Sequence, residues 1–436
     1  MLLRSATKAF SHWKRTTFPE RAALLSTAAE GLVSRRDELA RLITTEMGKA
    51  IEEARAEIEK CAKACHFYAR HAEEFLADRE VRLSESDAFV THQPIGPVLA
   101  IMPWNFPFWQ TFRAAAPTLM AGNVVILKHS TNTTGCALAI GELFKTAGFP
   151  EGVFSVLRVR GSSMTRIVKN RAIAAVTLTG STAAGRKVAA AAGSTLKKTV
   201  LELGGSDPYV ILEDAGLDLA ARVCAKARLV NNGQSCVAAK RFIVVESVRA
   251  EFEEKFAREM EAFRRGDPLD EQTQLGPMAR GDLRDDLHAQ VAKSIEAGAR
   301  LVIGGKIPDG PGAFYPATVL ANVKRGMPAF DEETFGPVAA VISARDEKQA
   351  IALANTTRFG LGSAVFTRDL DRGRRIAREE LHAGLCAINA MVQSDPRIPF
   401  GGVGDSGYGR ELGSEGIREF VNIKSVVIAP DAIEKP

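Results

Sequence analysis

Two textures of apolar spacing divide the chain. From Pro19 to Met47 apolar residues return every third or fourth position, Leu39, Leu42, Ile43 and Met47 among them, which predicts helix. Gly48 supplies a stop, because glycine accepts the left-handed conformation that ends helices. A second helix is predicted over residues 51–76, with Ile51, Ala54, Ile58, Cys61 and Cys65 on one face. Beyond this the texture changes. Short β-branched runs ("PVLAIMP", "NVVILK", "GVFSVL", "AAVTLTG", "TVLELGG", "YVILED") alternate with helix-like segments such as "GCALAIGELFKTAG" and "STAAGRKVAAAAG". Apolar strands separated by helices indicate parallel β-structure with crossover helices. The alternation restarts after "GQSC". There "RFIVVE", "ARLVIGG", "AAVISA", "SAVFT" and "GLCAIN" read as strands, and residues 249–264, "EKQAIALANT" and "DRGRRIAREE" as helices. The expected fold class is α/β: a doubly wound domain followed by a second α/β domain over about 205–405.

Composition narrows the function classes. A chain of 436 residues predicts two or three domains, and 46% hydrophobic with 25% charged residues is ordinary for a globular protein. The net charge of +5 comes from bases interleaved with acids, which argues against a nucleic-acid-binding face. Six scattered cysteines lack zinc or redox spacing, and seven histidines form no metal-like cluster, so no metal is expected. Cys61 and Cys65 read as apolar helix-face residues. The start "MLLRSATKAF" has too short an apolar stretch for a signal peptide, and no run reaches the ~18 apolar residues of a membrane helix. A reducing cytoplasm is the expected location, with no membrane partner.

Four segments carry candidate chemistry. The fingerprint GxGxxG is absent, but "TLTGSTAAGRKV" follows a strand and opens a helix between Gly180 and Gly185. Amides at that helix start suit an anionic pyrophosphate, or the small residues simply let the helix pack on the sheet. In "IMPWNFPFW", Pro103 and Pro107 fix the backbone around Asn105. Its amide reads as a donor to a developing oxyanion, or as an Asx-turn. Glu202 ends an apolar strand before two glycines; it reads as a desolvated base, or as a partner of Lys197 or Lys198. Cys236, in "NNGQSC", is either a nucleophile activated by nearby backbone N–H groups or an inert buried thiol.

In chain order, "PWNFP", "LKHS", "TGSTAAG", "ELGG", "GQSC", "EETFGP" and "PFGG…SGYGRE" resemble the NAD(P)-dependent aldehyde dehydrogenase superfamily over nearly the whole chain. The resemblance implies a Rossmann-like cofactor domain (1–79 and 96–204), a catalytic domain (205–405) and a small β oligomerisation arm (80–95 and 415–436). It implies that Cys236 attacks the aldehyde carbonyl, that Asn105 and the Cys236 N–H hold the alkoxide, and that Glu202 activates the water that releases a carboxylic acid. It implies that Lys128 contacts the adenosine ribose, that Gly180 and Ser181 turn over the pyrophosphate, that Trp104 lies along the cofactor groove, and that Glu333 and Phe335 hold the nicotinamide side. Thr131 stands where NAD-preferring relatives often carry Glu, and Arg158 and Arg160 follow the next strand; acceptance of NADP, alongside or ahead of NAD, is expected.

The short bacterial succinate-semialdehyde dehydrogenase branch is the most similar, in "KHS", "ELGGSDP", "AAKRFIV", "LGPMAR" and "GREL". Arg113 and Ser394 match residues that bind the distal carboxylate there. Some semialdehyde enzymes add an arginine six residues before the nucleophile; here that residue is Val230, with Arg228 further back as a substitute. Asp405 replaces a frequent family lysine. The N-terminus lacks the usual "NPATG"-like segment, which should remove a peripheral hairpin. The terminal "KSVVIAP" resembles the oligomerisation arm and implies a homodimer or homotetramer. Glutarate semialdehyde or another aliphatic aldehyde is an alternative substrate. A CoA-acylating relative is disfavoured by Glu202, and a cysteine hydrolase or acyltransferase by the lack of a histidine partner for Cys236.

Overall fold

The computed structural model describes residues 1–83 and 86–428; the rest of the expected arm, 84–85 and 429–436, lies outside the described residues. Five helices open the chain: α1 (Leu2–Trp13), α2 (Phe18–Ser34), α3 (Arg36–Met47), α4 (Ile51–Phe75) and, after three strands, α5 (Trp109–Met120). The single helix expected up to Met47 is two. Arg35 leaves the helical region (φ −102°, ψ 16°), and the break lets α2 and α3 each pack on α4. Thr17 starts α2 with a capping box, its hydroxyl accepting from the Glu20 N–H while Glu20 bonds back to Thr17. Gly48 closes α3 at φ 77°, as expected from the sequence.

Strands β1 (Arg79–Arg82) and β2 (Asp87–Pro94) precede the first large sheet. That sheet uses β3 (Pro97–Met102), β4 (Val124–His129), β5 (Phe154–Val156), β6 (Ala175–Thr179) and β7 (Lys198–Glu202), all parallel, in spatial order β5-β4-β3-β6-β7. The order reverses between β3 and β6. At such a switch point the loops leave the strand ends in opposite directions and open a crevice for a ligand.

The second sheet comprises β8 (Asp207–Ile211), β9 (Ala239–Val245), β10 (Arg300–Ile303), β11 (Thr318–Ala321), β12 (Val338–Ala344), β13 (Gly362–Phe366) and β14 (Leu385–Ile388). Its order is β10-β11-β12-β9-β8-β13-β14, parallel except for β10. Both faces are covered. Val210, Ile243 and Ala340 join one core, and Tyr209, Phe242 and Val341 the other. That two-sided burial explains why these strands read as unbroken apolar runs.

Two last strands return to earlier elements. β15 (Gly407–Tyr408) adds antiparallel to β7, and β16 (Val421–Ile428) pairs with β2 along its whole length. In the three-stranded sheet β1-β2-β16, Val421 joins the core of the first half of the chain, while Ile423 and Val427 are about 60% exposed on the outer strand β16.

Candidate active site

Residues 230–236 run through a turn that most side chains could not adopt. Asn231 and Asn232 (φ 55° each) and Gly233 (φ 73°) are left-handed in succession. Asparagine tolerates this region because its short amide can bond locally. Here those amides also staple the loop. Asn231 Nδ2 donates to the carbonyls of Asn105 (2.7 Å) and Gln234 (3.0 Å), and Asn232 Nδ2 to those of Gly48 and Pro277. A Cβ on Gly233 would stand 2.3 Å from the Gly336 carbonyl carbon, so this glycine admits the "EETFGP" segment against the loop. Buried Lys240 donates to the carbonyls of Ser235, Cys236 and Ala238 and closes the loop from below.

Cys236 emerges from this frame half-buried, on the wall of a cavity of about 200 Å³ also lined by Lys60, Trp109, Arg113, Ser394 and Phe400. The other thiols offer no rival: Cys61, Cys65, Cys136 and Cys224 are buried, and half-buried Cys386 sits on β14. Surrounding protein pushes the Cys236 thiol up to about 12, against the opposing pull of Arg113 and Lys240. The resting sulfur is therefore protonated.

Asn105 follows β3 and is buried. Its Nδ2 donates to the Gln234 carbonyl at 3.0 Å, and its Oδ1 accepts from Gln110 at 3.0 Å. One N–H of the amide is left over. The loop that follows Asn105 is pinned by buried His129, whose ring bonds the Pro107 carbonyl at 3.0 Å and the Ser130 N–H at 2.9 Å. Burial lowers that imidazole to about 4, so it stays neutral and structural.

Glu202 ends β7, with Thr179 beside it on β6 and Gly407 on β15. Neither carboxylate oxygen has a hydrogen-bond partner among the described residues. Lys197 instead bonds carbonyls of residues 168 and 170, and Lys198 pairs with Glu419, which removes the lysine-pair reading. Burial raises the Glu202 carboxyl well above its ordinary range; Arg113 opposes this and Glu411 adds to it. The two glycines that follow draw the other parts in. A Cβ on Gly204 would meet Glu333 Oε2 at 2.4 Å, and one on Gly205 the Cys236 carbonyl oxygen at 2.7 Å. The Gly205 N–H donates to Glu333 Oε1 at 2.9 Å. Asn105 is bonded to the carbonyl two residues before Cys236, and the Glu202 charge acts on the Cys236 thiol, but neither residue forms the wall of its cavity.

Arg113 lies on α5 and lines the cavity, but its charge is already matched. Its guanidinium is ion-paired with buried Glu411, reaches Thr179 Oγ1 at 3.3 Å and stacks 4.6 Å from the Phe400 ring centroid. Phe400 and Glu411 exchange backbone hydrogen bonds (2.6 and 2.7 Å), which is how the "PFGG…GRE" loop reaches this site. Ser394 stands on the cavity wall and accepts from Lys60 Nζ at 2.8 Å and Trp109 Nε1 at 3.2 Å. Arg228 does not face the cavity. It is fully buried and donates to the Gly233 carbonyl, because its place on the helix Leu217–Leu229 points it under the loop 230–236. Val230 does line the cavity.

The sequence singled out neither Glu57 nor Lys60. Glu57 pairs with fully buried Lys49 and accepts from the N–H groups of Phe108 and Trp109 at 2.9 Å each, fixing the start of α5. The spacing of polar residues on α4 could not distinguish these two from solvated side chains.

A second group of the expected residues gathers at the strand ends beside the switch point. Trp104 leaves the end of β3, Lys128 sits in β4 one residue from its end, and Gly180 and Ser181 follow β6. Ser181 caps the helix Thr182–Gly193, its Oγ accepting from the Ala184 N–H at 3.3 Å. Beside Gly180 the space is open, a Cβ meeting only Leu178 at 3.7 Å. Lys128 is half-buried without a carboxylate at ion-pair distance among the described residues, and desolvation lowers its ammonium. Trp104 meets Phe335 edge-on at 5.8 Å. Exposed Thr131 begins the short turn after β4, and exposed Arg158 and Arg160 follow β5, the strand next to β4. A helix N-terminus, a free ammonium and an aromatic pair at the carboxyl ends of parallel strands fit an elongated anionic ligand such as a dinucleotide. Asp405 bridges Arg186 (2.8 Å) and Arg358 (3.6 Å), tying the helix Thr182–Gly193 to the second sheet's loops.

Among the described residues no group of three or more His, Cys, Asp or Glu could hold a metal, and no helix is long and apolar enough to cross a membrane.

Comparison with known proteins gives the same architecture and chemistry. The aldehyde dehydrogenase family model matches residues 1–426. A Synechocystis protein named "Probable succinate-semialdehyde dehydrogenase (NADP(+))" is 50% identical over 97% of this chain and 93% of its own. The Escherichia coli succinate semialdehyde dehydrogenase (NAD(P)+) is 47% identical over 97% and 92%. The crystal structure of succinic semialdehyde dehydrogenase from Streptococcus pyogenes, in complex with NADP+, superposes with a TM-score of 0.96 at 35% identity, covering 98% of this chain and 94% of that one. A family match across nearly the whole chain, relatives at up to 50% identity and a shared fold lead to one conclusion: this protein belongs to the aldehyde dehydrogenase family.

Proposed function

We propose that this enzyme oxidises an aldehyde carrying a distal carboxylate, succinate semialdehyde foremost, to the dicarboxylate, with NADP or NAD as oxidant and NADP preferred. The observation that carries the substrate reading is that Cys236, Arg113 and Ser394 share one cavity. Relatives bearing the succinate-semialdehyde name, most of them with NADP in it, support it.

In this reading the Cys236 sulfur, once deprotonated, adds to the aldehyde carbon, and the carbonyl π pair moves onto oxygen. The remaining N–H of Asn105 and the Cys236 backbone N–H stabilise that alkoxide. When bound, oxidised nicotinamide supplies the acceptor for the hydride leaving this carbon. The product on the protein is a Cys236 thioester. Glu202 takes a proton from water, whose oxygen then bonds to the acyl carbon; the carbon–sulfur bond breaks and the carboxylic acid leaves. A base with unpartnered oxygens and a raised proton affinity suits that step. Lys128, Gly180, Ser181 and Trp104 would hold the dinucleotide, with Glu333 and Phe335 at its nicotinamide end. Thr131 repels no 2′-phosphate, and Arg158 and Arg160 favour one.

We also propose the division into a cofactor domain (1–79, 96–204), a catalytic domain (205–405) and an arm. The arm's outer strand β16, with exposed Ile423, Val427 and Ile428, supports a homodimer or homotetramer. Six free cysteines suit a reducing cytoplasm. Rates of nicotinamide reduction with succinate semialdehyde, glutarate semialdehyde and butanal, each with NADP and NAD, test the assignment. It requires kcat/KM to be highest with succinate semialdehyde and NADP; preference for butanal overturns the substrate, and strict NAD use overturns the cofactor.

A further inference from the structure

The cavity beside Cys236 has more than one cation in its wall, and they are not equivalent. Arg113 is committed to Glu411, so the pair as a whole brings little net charge to a ligand. Lys226 is exposed, where water screens it. Val230, at the position where some relatives carry an arginine, is apolar. Lys60 is different. It projects from α4 into the same cavity, partly shielded from solvent. Its ammonium donates to one neutral acceptor, Ser394 Oγ, at 2.8 Å and sits 4.4 Å from the centroid of the Trp109 ring. No carboxylate stands at ion-pair distance among the described residues; Asp395, the nearest acidic neighbour in sequence to Ser394, is bonded to Arg397. Two N–H bonds of the ammonium are thus free.

We propose that Lys60 is the anion-recognising residue of the substrate cavity: its ammonium, with the Ser394 hydroxyl, takes the distal carboxylate and sets the preference for acidic over neutral aldehydes. This rests on the substrate class proposed above. A half-desolvated ammonium without a counter-ion is costly unless something completes it. The face of Trp109 compensates in part, since an aromatic ring attracts a cation. A carboxylate ligand would complete it with charge-assisted hydrogen bonds. Burial and the Arg113 charge lower Lys60 to about 8, and a bound carboxylate would raise it again. Trp109 and Ser394 hold each other through the 3.2 Å indole bond, so the three side chains form one preset pocket end.

The test compares wild type, Lys60→Met and Lys60→Arg on succinate semialdehyde and on butanal, at saturating cofactor. Loss of a charged hydrogen bond is worth roughly a factor of 10 to 100 in binding. Lys60→Met is expected to lower the ratio of kcat/KM between the two aldehydes by about that factor, mostly through KM, and Lys60→Arg to restore part of it. In parallel, succinate should slow alkylation of Cys236 in wild type and protect far less in Lys60→Met. If wild type prefers succinate semialdehyde but Lys60→Met keeps that preference, or loses both activities equally, the role of Lys60 is wrong while the substrate class stands. If wild type itself shows no preference, the substrate class falls and the Lys60 assignment with it.

Discussion

The side-chain amide of Asn105 donates to the backbone carbonyl of Gln234 across 3.0 Å, two residues before Cys236. The two segments come from different sheets, and Asn231 reinforces the link by donating to the Asn105 carbonyl at 2.7 Å. The amide is thus fixed before any substrate arrives. Fixed donors need no reorganisation as charge develops, which is what makes them effective.

Asn105→Ala should lower kcat by about 10²–10³-fold, the usual loss for one oxyanion donor. KM should change much less. Steady-state kinetics, with circular dichroism to confirm folding, checks this; a loss confined to KM would mean Asn105 merely shapes the site.

Burial raises both Cys236 and Glu202, and both are proposed to act deprotonated. The sign follows: Cys236, pushed up to about 12, is held mostly protonated at neutral pH, and the raised Glu202 carboxyl loses its proton at higher pH than an ordinary carboxylate, so activity should climb as pH rises. In the cofactor-free enzyme, alkylation of Cys236 should keep accelerating well past roughly 8.5, where an ordinary thiol levels off. Peptide mapping separates Cys236 from the other cysteines. A plateau near neutrality would show a thiolate at rest.

Glu57 carries weight far from the chemistry. It pairs with Lys49 where both are almost fully buried, and it holds the first N–H groups of α5, the helix that bears Arg113. Removing one member of a buried pair strands the other charge, at a cost of about 3–5 kcal/mol. Glu57→Gln should lower stability by that order in a denaturant titration. A change under 1 kcal/mol would mean water reaches Lys49.

The parallel strands and the Cys236, Asn105 and Glu202 segments were legible because each depends on local pattern: apolar runs between glycines, or an odd polar residue at a strand end. What escaped depends on chain returns. Nothing around Arg113 indicates that Glu411 will come back from near the C-terminus to neutralise it. Arg228 seemed available for substrate, yet the left-handed turn at Asn231 and Asn232 folds the loop over it. The break at Arg35 was invisible because apolar spacing continues through it. Lys60 sits at a helix position that reads as solvent-facing, and only the approach of Trp109 and Ser394 encloses it.

The central claim is that oxidation passes through an acyl group on Cys236 that Glu202 then helps to hydrolyse. Glu202→Gln, mixed with succinate semialdehyde and NADP, should release about one equivalent of reduced cofactor and then stall. Mass spectrometry of the quenched protein should find the succinyl group on the peptide containing Cys236. Continued turnover with no adduct there, or reduced cofactor formed by Cys236→Ala, would contradict the account.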